Sequence, residues 1–237
     1  MFRTLAIIAG ASVVTAAAAF AGAAALGGAD LVRRGWWQDD RPWDDVNTPS
    51  AGPSAQRDLT GFDSVMVAGG LTGEITVGGP FRVEVIGGDP QSVVTELDGA
   101  RLTIRPRRRS WWDQPALATV RVSMPTARAV SSSAGAHVRL AGVTDGDLAL
   151  DASAGAQLRA SGACGALDAE ASAGANLDAS ALTCGTGEVD VSSGAQVRVA
   201  VTGQLDVEAS SGGSVYAGGT PQIGRVALSS GGQLLRD

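Results

Sequence analysis

A phrase of small residues ending in glycine, followed by an alternating run, recurs six times in the C-terminal half of this chain. SSSAGAHVRLAG starts at residue 131, and DASAGAQLRASG, EASAGANLDASA, DVSSGAQVRVAV, EASSGGSVYAGG and ALSSGGQLLRD follow it. The anchoring glycines are Gly135, Gly155, Gly174, Gly194, Gly212 and Gly231, at steps of 20, 19, 20, 18 and 19 residues. A fixed period of this size is the mark of a stacked repeat architecture.

Alignment on the glycine turns the copies into columns. Five residues before it stand Val130, Leu150, Ala169, Val189, Val207 and Val226, and three after it stand Val138, Leu158, Leu177, Val197, Val215 and Leu234. Two after it the column is polar: His137, Gln157, Asn176, Gln196, Ser214 and Gln233. Apolar and polar columns alternate with period two on each side of the glycine, which is the pattern of strands, not helices. Each copy therefore reads as a strand, a tight Ser-Ala-Gly corner and another strand. One such unit cannot bury its own apolar face; stacking each copy on the last at about 4.8 Å does so and pairs the backbone. The expected fold is all-β, a parallel β-helix (solenoid) with rungs of about 19 residues. A β-sandwich also has short strands at such spacing, but it does not require one phrase repeated in one register. Glycine and serine suit the corner, because glycine accepts conformations closed to other residues and serine bonds readily to local backbone.

Before the repeats, FDSVMVAG, GEITVG, FRVEVIGG, SVVTEL, RLTIRP and LATVRVSMP read as further strands, expected to form the opening rungs and to cap one end. RPRRRSWWDQPA, residues 105–116, interrupts them with four arginines and two tryptophans. It is the most basic stretch of an acidic chain of net charge −6, and it reads as an exposed loop. That charge balance excludes general nucleic-acid binding, which needs phosphate-neutralising cations. Aromatics make up only 4% of the 237 residues, so the core is one of Ala, Val, Leu and Ile in narrow layers.

The first 29 residues carry Arg3 and then no charge until Asp30. They read as a cleaved secretory signal or as a retained membrane anchor, since the run is also long enough to span a bilayer. Either places the rest outside the cytoplasm. Residues 30–57, with charges, prolines and Trp36, Trp37 and Trp43, read as a linker whose aromatics flank the apolar segment.

Residues 58–237 resemble a known family. FDSVMVAGGLTGEITVG, FRVEVIGG, LDGARLTIRP, VRVSMPTARAVSSSAGAHVRL and the closing SVYAGGTPQIGRVALSSGGQLL, with Tyr216, Gly218 and Pro221, are similar to the putative auto-transporter adhesin head GIN domain. The resemblance implies a right-handed β-helix in an envelope or secreted bacterial protein, and it carries over no catalytic residue. The 105–116 loop is longer than the hairpin usual there.

Cys164 and Cys184 each lie ten residues before an anchor, so they occupy equivalent places on adjacent rungs. Rung spacing falls inside the Cα separation of a disulfide, about 4.4–6.8 Å, and an exported protein keeps such a bond. A Cys164–Cys184 bridge is the expectation. Asp151, Glu170, Asp190 and Glu208 form one acidic column and Asp168, Glu188 and Asp206 another, with Arg139, Arg159 and Arg198 across the corner. Such columns could draw calcium, but the repeat of a calcium roll is absent and a solvated charged face is the simpler reading. No metal and no cofactor is expected.

Uniform carboxylate ladders lack the asymmetry of a glycosidase pair. His137 is the one histidine and sits in a polar column, so no Ser-His-Asp set forms without it. The chain has no nucleophile elbow, phosphate loop or dinucleotide fingerprint. The reading is a non-enzymatic, exported cell-envelope protein: periplasmic, at the outer surface, or anchored facing outward. It would bind or adhere through a rigid polar surface, to a glycan or an envelope protein. Arg107, Arg108, Arg109, Trp111 and Trp112 form its candidate binding loop, because tryptophan and arginine dominate binding hot spots. The alternative is a structural, self-assembling protein stacked through an uncapped solenoid end. A polysaccharide-active enzyme ranks below both. Membrane association would run through the N-terminal segment, and the oligomeric state stays open.

Overall fold

The structure, a computed structural model, describes residues 54–107 and 118–236. The segments 1–29 and 30–53, with Trp36, Trp37 and Trp43, and most of the basic loop lie outside the described residues. In chain order the strands are β1 Ser54–Arg57, β2 Ser64–Ala68, β3 Thr72–Val77, β4 Arg82–Ile86, β5 Val93–Asp98 and β6 Arg101–Pro106. Then come β7 Thr119–Met124, β8 Ala129–Ser133, β9 His137–Val143, β10 Leu148–Ala152, β11 Gln157–Ala171 and β12 Asn176–Val191. The last five are β13 Gln196–Val201, β14 Gln204–Ala209, β15 Ser214–Gly219, β16 Gln222–Leu228 and β17 Gln233–Arg236. Among the described residues the one helical element is a single 3-10 turn, Pro90–Ser92. β1 falls in the last four residues of the stretch that reads as linker.

The strands stack into two walls of a β-solenoid with about 20 residues per turn. The first wall runs β6, β2, β8, β10, the C-terminal parts of β11 and β12, β14 and β16, all parallel. The second runs β7, β3, β9, the N-terminal parts of β11 and β12, β13, β15 and β17, again parallel. Parallel pairing puts residues at equal offsets from each corner glycine into one ladder of side chains.

Between the walls the inward columns close over one another. Val130, Leu150, Ala169, Val189 and Val207 are at most 3% exposed, and so are Leu158, Leu177, Val197 and Val215. The buried side chains between the walls are mostly Ala, Val and Leu, which is why a chain poor in aromatics fills the interior. Phe62, against Phe81 with ring centroids 5.0 Å apart, sits at the broader opening end. Cys164 and Cys184 are joined between adjacent rungs, with Cα atoms 4.5 Å apart.

The opening rungs do not stack in chain order. The β6–β7 rung lies outside the β2–β3 rung, so the chain lays down β2–β3, passes beneath it, and resumes at β8–β9 on its other side. Antiparallel strands finish that end: β5 on β6, β4 on β7, and β1 on β4. Alternation alone cannot reveal this order, because β2 and β6 show the same inward and outward pattern whichever lies outermost.

Each of the six corners of the repeated phrase is a type I′ turn. Ala134, Ala154, Ala173, Ser193, Ser211 and Ser230 have φ between 48° and 54°, and the glycine after each has φ between 70° and 83°. The turn closes with a backbone bond, for example from the Ala156 N–H to the Ser153 carbonyl at 3.2 Å. Type I′ needs positive φ at both central residues. A Cβ on Gly155 would meet nothing within 4 Å, so this glycine is required for its backbone angle and not for space. Each corner is also bonded to the next, as from the Gly155 N–H to the Ala173 carbonyl at 3.0 Å, so the ladder runs unbroken around the bend. Ser132, one place before the corner, is fully buried and its hydroxyl donates to the Ala136 carbonyl at 3.2 Å.

Candidate functional site

The outward columns of the two walls differ in charge. On the second wall, Arg121, Glu74, Arg139, Arg159, Asp178, Arg198 and Tyr216 stand in register. The signs mostly alternate, and contacts follow: Arg121 Nε lies 2.8 Å from Glu74 Oε2, Arg159 Nε 3.9 Å from Asp178 Oδ2, and the Arg198 guanidinium 5.0 Å from the centre of the Tyr216 ring. Burial disfavours the charged form of Arg159, and Asp178 offsets this. Of the three arginines of the sequence columns, Arg159 meets Asp178 and Arg198 lies over Tyr216, while Arg139 stands between Glu74 and Arg159 in the ladder. His137 takes its place in the adjacent polar column, opposite Thr72 and Gln157.

On the first wall no cation interleaves. Asp151, Glu170, Asp190 and Glu208 are stacked on four successive rungs, and Asp168, Glu188 and Asp206 on three beside them. Burial raises the Asp151 pKa, with Arg101 pulling the other way. Glu170 is also raised, by burial and then by Asp168, Asp151 and Asp190. Like charges at rung spacing account for the second effect. At the last rung the signs change: Ala227 ends the first column, and Arg225 stands at the end of the second. The Arg225 N–H donates to Asp206 Oδ1 at 2.7 Å, and its guanidinium lies 3.9 Å from Glu188. That backbone bond, followed by one from the Gln204 side chain, holds Asp206 below the usual carboxylate range.

An open groove of about 950 Å³ runs along the first wall beside Ala166, Thr186 and Gln204. Asp145, Asp147, Asp168, Glu188 and Asp206 line it, with Arg128 at one end. A second hollow of about 340 Å³ runs over Asp151, Glu170, Asp190 and Glu208 beside the serines of the corners. Both are shallow and rich in acceptors. The carboxylates lie along lines and do not converge: among the described residues, no three His, Cys, Asp or Glu side chains gather as a metal site. What this surface offers is a row of acceptors at fixed spacing for cationic or hydroxyl-rich groups.

Of the candidate loop, Arg107 is described. It is exposed beyond the end of β6, its N–H donates to the Ser92 carbonyl at 2.6 Å, and its Nε donates to the Gln91 carbonyl at 3.2 Å. Arg108, Arg109, Trp111 and Trp112 lie outside the described residues. The loop leaves β6 and re-enters at β7, so both its ends are held by the outermost opening rung. The sequence reading missed the groove: its acidic columns were legible, but the hollow beside them leaves no mark in residue type.

A family described as "Putative auto-transporter adhesin, head GIN domain" matches residues 61–221. Among solved structures, a putative adhesin from Bacteroides fragilis aligns with a TM-score of 0.64 at 14% identity, covering 80% of this chain and 99% of that one. A putative adhesin from Parabacteroides distasonis aligns with a TM-score of 0.50 at 14% identity, over 78% and 96% of the two chains. At such identity the likeness is one of fold. No curated protein matches.

Proposed function

This chain belongs to the head GIN domain family, and on that premise we propose that it is an exported, non-enzymatic binding module of the cell envelope. The observation that carries the reading is the pairing of an uninterrupted solenoid with the Arg–Trp loop held at its opening end. The solenoid is rigid because every rung is bonded to the next through strands and corners alike. A rigid rod that fixes both ends of an aromatic and cationic loop presents it to a partner at low ordering cost. Export is supported by the joined Cys164 and Cys184, a bond that persists in oxidising compartments, and by the adhesin description of the family.

The partner class is a glycan or an envelope protein. Tryptophan faces stack on the apolar faces of sugar rings, and Arg107, Arg108 and Arg109 supply donors beside them. The non-enzymatic reading is supported by the geometry of the first wall: its carboxylates form open rows, whereas glycoside hydrolysis uses two carboxyls in contrasting environments across a cleft.

The test is binding of the full chain to a panel of bacterial and host glycans and to envelope extracts, with a Trp111→Ala/Trp112→Ala variant alongside. Selective binding that falls at least about tenfold in the variant, with an unchanged urea midpoint, is expected. Binding that survives in the variant but fails when Asp168, Glu188 and Asp206 become amides would move the site to the groove. Chain cleavage of any glycan would overturn the non-enzymatic reading.

A further inference from the structure

The two ends of the solenoid are built differently. At the opening end the outermost strands β1 and β5 run antiparallel to their neighbours. At the other end, among the described residues, β16 pairs only with β14 and β17 only with β15, which leaves each an outer edge. Three of the four exposed large apolar side chains among the described residues lie on this last rung: Val226 at 40%, Leu228 at 48% and Leu235 at 38%. Directly beneath them Val207 is 3% exposed and Ala209 is fully buried. The column that holds Ala152, Ala171, Val191 and Ala209 inside ends in the larger Leu228.

We propose that this rung pairs with the same rung of a second copy, tail to tail about a two-fold axis. Charge complementarity selects that occupant. Two acidic walls brought end to end would repel, but the acidic columns stop one rung short, at Glu208 and Asp206. The last rung replaces them with Ala227 and the exposed Arg225.

Antiparallel pairing sets residues of like parity opposite each other on one face. With Val226 on the two-fold axis, Arg225 stands opposite the second copy's Ala227 and one rung from its Glu208. The same contact repeats by symmetry. An isologous interface of this kind closes as a dimer and does not grow into a fibre. A single rung gives a contact at the small end of specific interfaces, so the dimer is a concentration-dependent one. The interface lies at the opposite end of the solenoid from β6 and β7, which hold the ends of the Arg–Trp loop, so this proposal stands or falls apart from the loop-binding reading.

The experiment uses the full chain in mild detergent, followed by sedimentation velocity across about 1–200 µM, a range that brackets weak interfaces. The dimer fraction should rise with concentration. Arg225→Glu should weaken dimerisation at least about tenfold, and Glu208→Arg added to it should restore most of the loss. In a Val226→Cys chain the introduced thiol meets its own symmetry mate, so mild oxidation should give a disulfide-linked dimer of two chains. A monomer at every concentration, with the urea midpoint unchanged, would overturn the proposal. So would a ladder of oligomers, or an introduced thiol that stays free under mild oxidation or links only to another protein.

Discussion

The bridge between Cys164 and Cys184 gives a direct measure of how the rungs hold together. Removing both sulfurs, as Cys164→Ala/Cys184→Ala, leaves the folded ladder in place, because β11 and β12 are paired on both sides of the bond, from Gln157 to Arg159 and from Ser161 to Ala171. What changes is the unfolded chain. The bond closes a loop of 20 residues, one whole turn. Chain-entropy reasoning, ΔS of roughly −2.1 − 1.5R ln n, then gives about 11 cal/mol/K, or about 3.3 kcal/mol at 25 °C. With a urea slope of about 2 kcal/mol/M, the midpoint should fall by about 1.6 M. In a domain of this size the same loss corresponds to a melting temperature lower by roughly 7–13 °C. The assay is equilibrium urea unfolding followed by circular dichroism and by amide hydrogen exchange, on both proteins, without reductant. Single-residue variants are avoided, since each would leave a free thiol. A midpoint shift under about 0.5 M would refute the reasoning. It would mean that the loop is already constrained in the unfolded chain, or that the repeats unfold piecemeal so that one turn's entropy never enters a global transition. Transitions that separate between the two probes would identify the second case.

The corners can be tested by exchanging their central residues. Ala154 sits at φ 52°, where alanine is strained and asparagine less so, so Ala154→Asn should stabilise by about 0.5–1 kcal/mol in urea unfolding. Gly155→Ala has room for its methyl but must hold φ 71°, and should cost about 1–2 kcal/mol. Gly162→Ala should cost more, about 3 kcal/mol or failure to fold, because its Cβ would collide with the Val143 carbonyl.

The acidic wall should respond to pH in a set direction. Burial and neighbouring carboxylates raise the Glu170 pKa on folding, so the folded chain binds that proton more tightly. The cost of the charge is absent below the unfolded pKa and grows as pH rises through the folded one. Glu170→Gln should therefore raise the urea midpoint at pH 7, by the equivalent of about 0.5 kcal/mol at most because solvent screens a group this exposed, and leave it unchanged near pH 3. Asp206, held low by the Arg225 N–H, should show the opposite sign: its contribution is present at pH 7 and fades as pH falls, so Asp206→Asn should lower the midpoint only at the higher pH.

The period and alternation were sufficient to read the repeat block. Leu158, Leu177 and Val197 could be assigned to one buried column from spacing alone, because parallel in-register stacking maps equal sequence offsets onto one ladder. Other features depend on backbone geometry that residue type does not encode. The order of β2 and β6 is one, since both carry the same alternation. Ala154 is another, since nothing in an alanine announces positive φ; the signal was the invariably small residue before each corner glycine. Asp178 lay within reach of the sequence. It occupies the same offset from its glycine as Arg139, Arg159 and Arg198, and filling in that column would have shown a wall carrying its own counter-ion. Glu74 did not, because its register depends on the crossed order of the opening rungs.

That crossed order divides the molecule by what can be inserted into it. Between β8 and β17 each turn rests on the previous one and presents the same cross-section to the next, so a whole turn could be duplicated or lost with only the rod's length altered. The opening block has no such freedom. β2 and β3 are sandwiched between rungs laid down both later and on opposite sides, and a turn added there would have nowhere to lie. Variation in length among proteins built this way should therefore fall on the C-terminal side of β8. The opening end, with its loop, should travel outward or inward as one fixed head on a shaft of adjustable reach.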